Sequence, residues 1–454
     1  MKSLDNVTQT LPVSLPQAGG GVYRTGSSPA RPDAAAVPTH WYNIAADLPE
    51  PIPPHLNPAT GDPVTAAELE NLFPAALAAQ ELSTDRFILI PEPIRDVYKS
   101  WRVTPLLRAS RLERALNTRA RIYLKYEGAS PVGSHKPNSA VAQAYYNQKA
   151  GVDKLTTETG AGQWGSALAF AGAMFDLNVE VWQVRASYES KPYRRYLMEL
   201  YGGRVHSSPS SQTATGRAIL SDDPNTPGSL GMAVSEAVEV ALAEPRVRYA
   251  LGSVLNHVVL HQSVIGQEAI AQLREQGEAT ADVVIGCAGG GSNLAGLSFP
   301  FLREVLAADA STRVIAAEPS ACPSLTRGEY RYDHGDFSGL TPLMKMHTLG
   351  NDFVPDPIHA GGLRYHGMAP ALSHVVNLGL VEPVAIHQDA AFHAGVLLAR
   401  TEGLVPAPES THALAAAFAY LDRTSREETI VIGLSGHGQL DLPAYHSILS
   451  GCSR

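Results

Sequence analysis

The chain runs to 454 residues, 44% of them hydrophobic and 17% charged, with a formal net charge of −9. That length exceeds what one hydrophobic core usually supports, so two domains or one large bilobed unit is expected. The acidic balance argues against a nucleic-acid partner, since the densest cationic run is only Lys191 to Arg195, and no apolar stretch approaches the roughly 20 residues a membrane span needs.

Residues 1–38, rich in Ser, Pro, Gly, Thr and Ala, read as a flexible N-terminal arm that cannot offset its own ordering entropy. Residues 39 to about 100 stay proline-dense, and 39–120 suits a wrapping segment that leads into the catalytic unit, with a helix expected from Ala66 to Glu81. From Arg121 the pattern alternates short β-rich runs, glycine turns and alanine-rich helices, as in a parallel α/β sheet. Expected strands are Ile122–Tyr126, Val179–Val184, Val314–Ala317 and Thr429–Leu434, with a helix over Ser166–Phe175. A first lobe over 121–250 and a second over 251–454 follow, and ligand chemistry is expected beyond the carboxyl ends of strands.

Three segments carry that chemistry. Gly133-Ser134-His135-Lys136-Pro137-Asn138 offers a lysine in a glycine-permissive turn, able to condense with an aldehyde; standing alone, it reads equally as a surface-loop lysine. Val283–Cys287 reads as a buried strand that leads through Gly289-Gly290-Gly291-Ser292-Asn293 into a helix, an arrangement that cups a phosphate with backbone N–H groups; alone, it is also an ordinary strand-to-helix turn. It has neither the Lys-Ser/Thr ending of a P-loop nor Gly-x-Gly-x-x-Gly spacing, so nucleotides fall behind pyridoxal phosphate, which carries both an aldehyde and a phosphate. Glu158, ahead of Thr159-Gly160-Ala161-Gly162-Gln163, is either a reactive acid or a helix-first-turn acid favoured by the dipole.

Three further features take plainer readings. His257 and His261 have metal-ligand spacing but no acidic partner in sequence, and read as structural or pocket-lining. Lys191, Arg194 and Arg195 read as a solvated basic helix face. Cys287, Cys322 and Cys452 build neither a disulfide framework nor a zinc spacing, which with the absence of an apolar leader core gives a cytoplasmic expectation and no metal site.

Taken in order, Gly133–Lys136 with Asn138, Glu158–Gly165, Gly289–Asn293, Glu402–Ser410 and Leu434–Gly438 resemble the motifs of the tryptophan synthase β chain family, in its second and less common branch. The resemblance extends from about His40 to the C-terminus. It implies two intertwined three-layer α/β lobes with mostly parallel sheets, and formation of L-tryptophan from indole and L-serine by β-elimination and β-replacement through an aminoacrylate. Lys136 would hold pyridoxal phosphate and shuttle the Cα proton. Gly289, Gly290, Gly291, Ser292 and Asn293 would cradle the phosphate with help from His135 and Ser229. Ser435 would face the pyridine nitrogen and Glu402 the cofactor ring. Glu158 would guide the indole N–H, while Thr159, Gly160, Ala161, Gly162 and Gln163 would receive the α-carboxylate.

Two departures from the commoner branch, both shared with the second, are Trp164 in place of a histidine and Arg364 in place of an acidic residue. A guanidinium pairs with a dianionic phosphate, so O-phosphoserine stands beside serine as donor. The resemblance further implies a homodimer, and leaves open an α-subunit partner and a monovalent cation. The competing readings are a related β-replacement enzyme or serine deaminase of the same fold with another nucleophile, and a pyridoxal-phosphate-binding protein without turnover.

Overall fold

Two sheets, both mostly or wholly parallel, carry the fold in the computed structural model, which describes residues 36–356 and 358–451. Residues 1–35 of the expected arm and Cys452 lie outside the described residues. The larger sheet takes six strands in the order Glu382–Ile386, Arg313–Pro319, Val283–Cys287, Thr429–Leu434, Arg121–Tyr126 and Leu106–Arg108; only the last pairing is antiparallel. The smaller sheet has four parallel strands in the order Arg204–Ser208, Asn178–Val184, Lys154–Thr159 and Val247–Tyr249.

Central strands covered on both faces must be apolar along their whole length. Val283, Val284, Ile285, Ile430, Val431 and Ile432 are accordingly all fully buried. The alanine-rich helix, Gln163–Met174, starts three residues before the expected Ser166 and packs against the smaller sheet. Its run of small side chains allows that close approach.

Strand Arg121–Tyr126, assigned by sequence to the first lobe, belongs instead to the six-stranded sheet. It pairs in register with Thr429–Leu434, Arg121 opposite Thr429 and Tyr126 opposite Leu434. The helix expected from Ala66 to Glu81 is broken into Ala66–Leu69 and Ala75–Leu82. Pro74 lies at the break, where it has no N–H to continue the ladder and biases Phe73 away from helical geometry.

The basic cluster is likewise not a solvated face. Arg194, 2% exposed, bonds Asp441 Oδ2 at 2.8 Å, and Lys191 Nζ reaches Asp441 Oδ1 at 2.8 Å and the His359 carbonyl at 3.0 Å. Only Arg195 stays outward, stacked 4.6 Å from the ring of Tyr188. His257 and His261 do find partners: His257 Nδ1 lies 2.7 Å from Glu81 Oε2, and His261 Nε2 lies 2.8 Å from Gln80. Glu81 also accepts from the N–H groups of Asn256 and His257, tying the N-terminal segment to the helix Asn256–Gln262. No helix among the described residues is long and apolar enough to cross a membrane.

Candidate active site

Strand ends from both sheets converge on one cleft. Lys136 follows Arg121–Tyr126 and caps the helix Pro137–Lys149, whose first residue is the proline that such a position tolerates because its missing N–H would have no partner there. Thr159 ends Lys154–Thr159, and the Gly289–Gly291 turn follows Cys287. Ligands of α/β sheets sit at such carboxyl ends. The cleft is lined by Lys136, Glu158, Thr159, Gly160, Ala161, Gln163 and Gly290, among others.

Glycine is required at two of the turns. Gly162 and Gly291 have φ of +97° and +90°, a left-handed conformation, and each immediately precedes a helix. At Gly291 a Cβ would also lie 2.6 Å from Leu372 Cδ2. The turn therefore aims consecutive N–H groups and the N-terminus of Ser292–Leu306 at one point, a ready anion cup. A third loop closes over both turns: a Cβ at Gly289 would sit 2.6 Å from the Gly362 carbonyl, and one at Gly160 3.1 Å from that of Gly361.

Burial sets the electrostatics. Lys136 Nζ donates to the Gly252 carbonyl at 2.6 Å, and enclosure lowers its pKa to about 8 against the pull of Glu158 and Glu409. Burial likewise raises Glu158 to about 7, opposed chiefly by a hydrogen bond from the Tyr249 hydroxyl to Oε2 at 2.5 Å. An amine and a carboxyl group held near neutrality in one cleft suit proton transfer. His135 Nδ1 lies 3.1 Å from the Ser435 carbonyl; because a carbonyl only accepts, that nitrogen carries the proton. Burial depresses this ring to about 3, with Lys136 adding to the effect. The Ser435 hydroxyl meets Ser410 Oγ at 2.9 Å and Cys287 Sγ at 3.6 Å.

The residues present fit pyridoxal phosphate. Lys136 is the one amine among the cleft-lining side chains, and the glycine turn supplies an anion cup. His135 Nε2, Asn293 Oδ1 and Ser134 Oγ are buried without partners, as side chains awaiting a polar group would be.

Ser229 and Arg364 lie in a recess that shares Gly160 and Gly361 with the cleft. Ser229 spends its hydroxyl capping the helix Leu230–Ala243, accepting from Met232 N at 3.2 Å. Gly162 faces Arg194 rather than the cleft. Glu402 is a correction. It ends the helix Gln388–Glu402, and its carboxylate accepts from the N–H groups of Arg111 and Leu112, both at 2.8 Å, capping the helix Ser110–Ala115. Besides Glu158, the acid that reaches the cleft's lining residues is Glu409, which accepts from Gly362 N at 2.8 Å and Gln163 Nε2 at 3.2 Å. Its signal was present in the same motif, as the acid just before the helix Ser410–Leu421. Tyr249 had no comparable signal.

A family profile described as pyridoxal-phosphate dependent enzyme matches residues 97–436. Among curated relatives, the tryptophan synthase beta chain 2 of Thermococcus kodakarensis is 56% identical over 419 residues, covering 91% of this chain and 94% of that protein. Those of Aeropyrum pernix and Thermotoga maritima are 57% and 55% identical, covering 91% and 90% of this chain and 94% and 97% of theirs. Two solved structures share the fold alone. The processed form of threonine deaminase isoform 2 from Solanum lycopersicum has a TM-score of 0.59 at 20% identity, covering 79% of this chain and 91% of that one. A fungal L-serine ammonia-lyase from Rhizomucor miehei has 0.57 at 18%, covering 76% and 97%.

Proposed function

Because the chain belongs to the tryptophan synthase β chain family of pyridoxal-phosphate-dependent enzymes, we propose that its cleft joins indole to the β-carbon of serine, with Lys136 and Glu158 working on the two reactants. The chain is a pyridoxal-phosphate-dependent lyase that forms tryptophan. The observation that carries the assignment of residues is the single cleft in which Lys136 and Glu158 both lie, one lowered to about 8 and the other raised to about 7.

Bound pyridoxal phosphate supplies an electron sink that lets the Cα proton and the β-substituent of the amino acid depart. Lys136 would hold the cofactor and would move the Cα proton, a task suited to an amine whose pKa burial lowers to about 8. The N–H groups of the Thr159–Gln163 turn receive the α-carboxylate. Gly289–Asn293 and His135 hold the phosphate. Ser435, a neutral hydroxyl, would serve the pyridine nitrogen, and Glu409 rather than Glu402 would serve the ring. Glu158 orients the indole N–H and offsets the positive charge that develops as the new bond forms. We also assign a homodimeric state and a cytoplasmic setting.

Arg364 defines the donor. The residue is 9% exposed and lines a recess with Gly160 and Gly361, its Nη2 donating to the Pro355 carbonyl at 2.7 Å and its Nε buried without a partner. A buried guanidinium with a free donor suits a phosphate leaving group, so O-phosphoserine is accepted alongside serine. The test compares tryptophan formed from indole with either donor, in the cofactor-loaded protein and in Arg364→Ala. The substitution is expected to lower kcat/KM for phosphoserine about tenfold or more beyond any change for serine. Equal losses would remove Arg364 from donor recognition, and no tryptophan from either donor would remove the reading itself.

A further inference from the structure

We infer that Tyr249 is the positioning residue for Glu158, its hydroxyl holding Oε2 so that the carboxylate presents its other oxygen to the N–H of the aromatic nucleophile. The inference rests on the reading of Glu158 as the nucleophile's guide.

Tyr249 ends the short strand Val247–Tyr249, on the edge of the four-stranded sheet opposite Thr156, two residues before Glu158. Its backbone is fixed by a bond from its N–H to the Leu72 carbonyl at 3.1 Å, and its ring lies 6.3 Å from that of Phe73. The ring forms part of an apolar wall with Leu72, Leu255 and Met344, while the hydroxyl reaches across to Glu158 Oε2 at 2.5 Å. Tyr249 and Glu158 are 2% and 3% exposed, so this bond is shielded from water, where hydrogen bonds to an ionised group are strongest.

The neighbouring hydroxyl cannot substitute. Thr157 Oγ1 lies 3.5 Å from Glu158 Oε2, but its single proton goes to the Ala250 carbonyl at 2.5 Å and it accepts from Trp164 Nε1 at 2.6 Å. Tyr249 is thus the one side-chain hydroxyl among the described residues with a proton to give this carboxylate. Trp164 Nε1 occupies a lone pair of Thr157 Oγ1, and the Ala250 carbonyl takes its proton.

The groups facing Glu158 are Tyr249, Lys136 and the phenol of Tyr365, with the backbone of Gly252. The Tyr249 bond and Lys136 both favour the ionised carboxylate against burial. Removing the phenol hydroxyl leaves Glu158 protonated to higher pH.

The test uses cofactor-loaded wild type, Tyr249→Phe and Glu158→Gln, the phenylalanine keeping the ring in its apolar wall. Pyruvate released from serine alone is measured beside indole coupling, the latter over a pH range that spans about 7, where Glu158 titrates. In Tyr249→Phe, coupling is expected to fall about tenfold while pyruvate release falls far less, and the acid limb of coupling to move to higher pH. Equal losses in both reactions, or an unmoved acid limb, while Glu158→Gln still loses coupling, would overturn the inference about Tyr249 alone. Coupling by Glu158→Gln at the wild-type level would overturn the reading of Glu158 on which it rests.

Discussion

Replacing Lys136 with alanine is expected to lower tryptophan formation by about three orders of magnitude or more, since it removes both the covalent hold on the cofactor and the group that moves the Cα proton. The cleft offers no substitute, because Lys136 is the one amine among its lining side chains. Its Nζ is anchored on the Gly252 carbonyl, and burial lowers its pKa to about 8, which makes the amine easier to deprotonate than a solvated lysine. The phosphate cup is untouched by the change, so Lys136→Ala protein is expected to take up cofactor that dialysis then removes. Borohydride reduction followed by peptide mapping checks the attachment directly. Cofactor found on another lysine, or retained covalently by Lys136→Ala, would contradict it.

The second large effect is on stability. Beneath the lysine helix lies a buried four-charge network: Glu268 accepts from Arg102 Nη2 at 2.6 Å, from Arg102 Nε at 2.7 Å and from Lys125 Nζ at 2.9 Å, while Glu127 accepts from Arg102 Nη1 at 3.1 Å. The four side chains are at most 1% exposed. Asn138, two residues from Lys136, joins it by accepting from Arg102 at 2.7 Å and donating to Glu127 at 3.1 Å. Two cations balance two carboxylates. Glu268→Ala leaves two buried cations facing one anion, at a cost of about 3–5 kcal/mol. Urea unfolding followed by tryptophan fluorescence is expected to show a correspondingly lower midpoint. A midpoint within about 1 kcal/mol of wild type would mean that water reaches the network and screens it.

What could be read in advance follows a physical division. The turns before the helices Gln163–Met174 and Ser292–Leu306 were legible as turns because left-handed φ and close backbone approach leave few residue choices, as at Gly162 and Gly291. Thr429–Leu434 was found to the residue, since a buried central strand must be apolar throughout. Long-range pairing was not legible. Arg121–Tyr126 was grouped with the lobe that follows it in sequence, yet its partner strand lies 308 residues on. Arg194 looked like a surface cation because Asp441, 247 residues away, is invisible to local pattern.

Glu402 and Glu409 pose the same difficulty within one motif. Both are acids at a helix end, and only the path of the chain shows that the first caps Ser110–Ala115 while the second meets Gly362 and Gln163. Tyr249 had no signal at all, since a tyrosine at the end of a three-residue strand is an ordinary sight until its hydroxyl is found on Glu158.

The account turns on a division of labour between Lys136 and Glu158 in one cleft, and Glu158→Ala tests it most directly. Cofactor-loaded Glu158→Ala is mixed with serine and indole, and tryptophan and pyruvate are measured together. The account predicts that the cofactor stays bound, that pyruvate still forms from serine, and that tryptophan falls about a hundredfold or more. Tryptophan formed at the wild-type rate would contradict it.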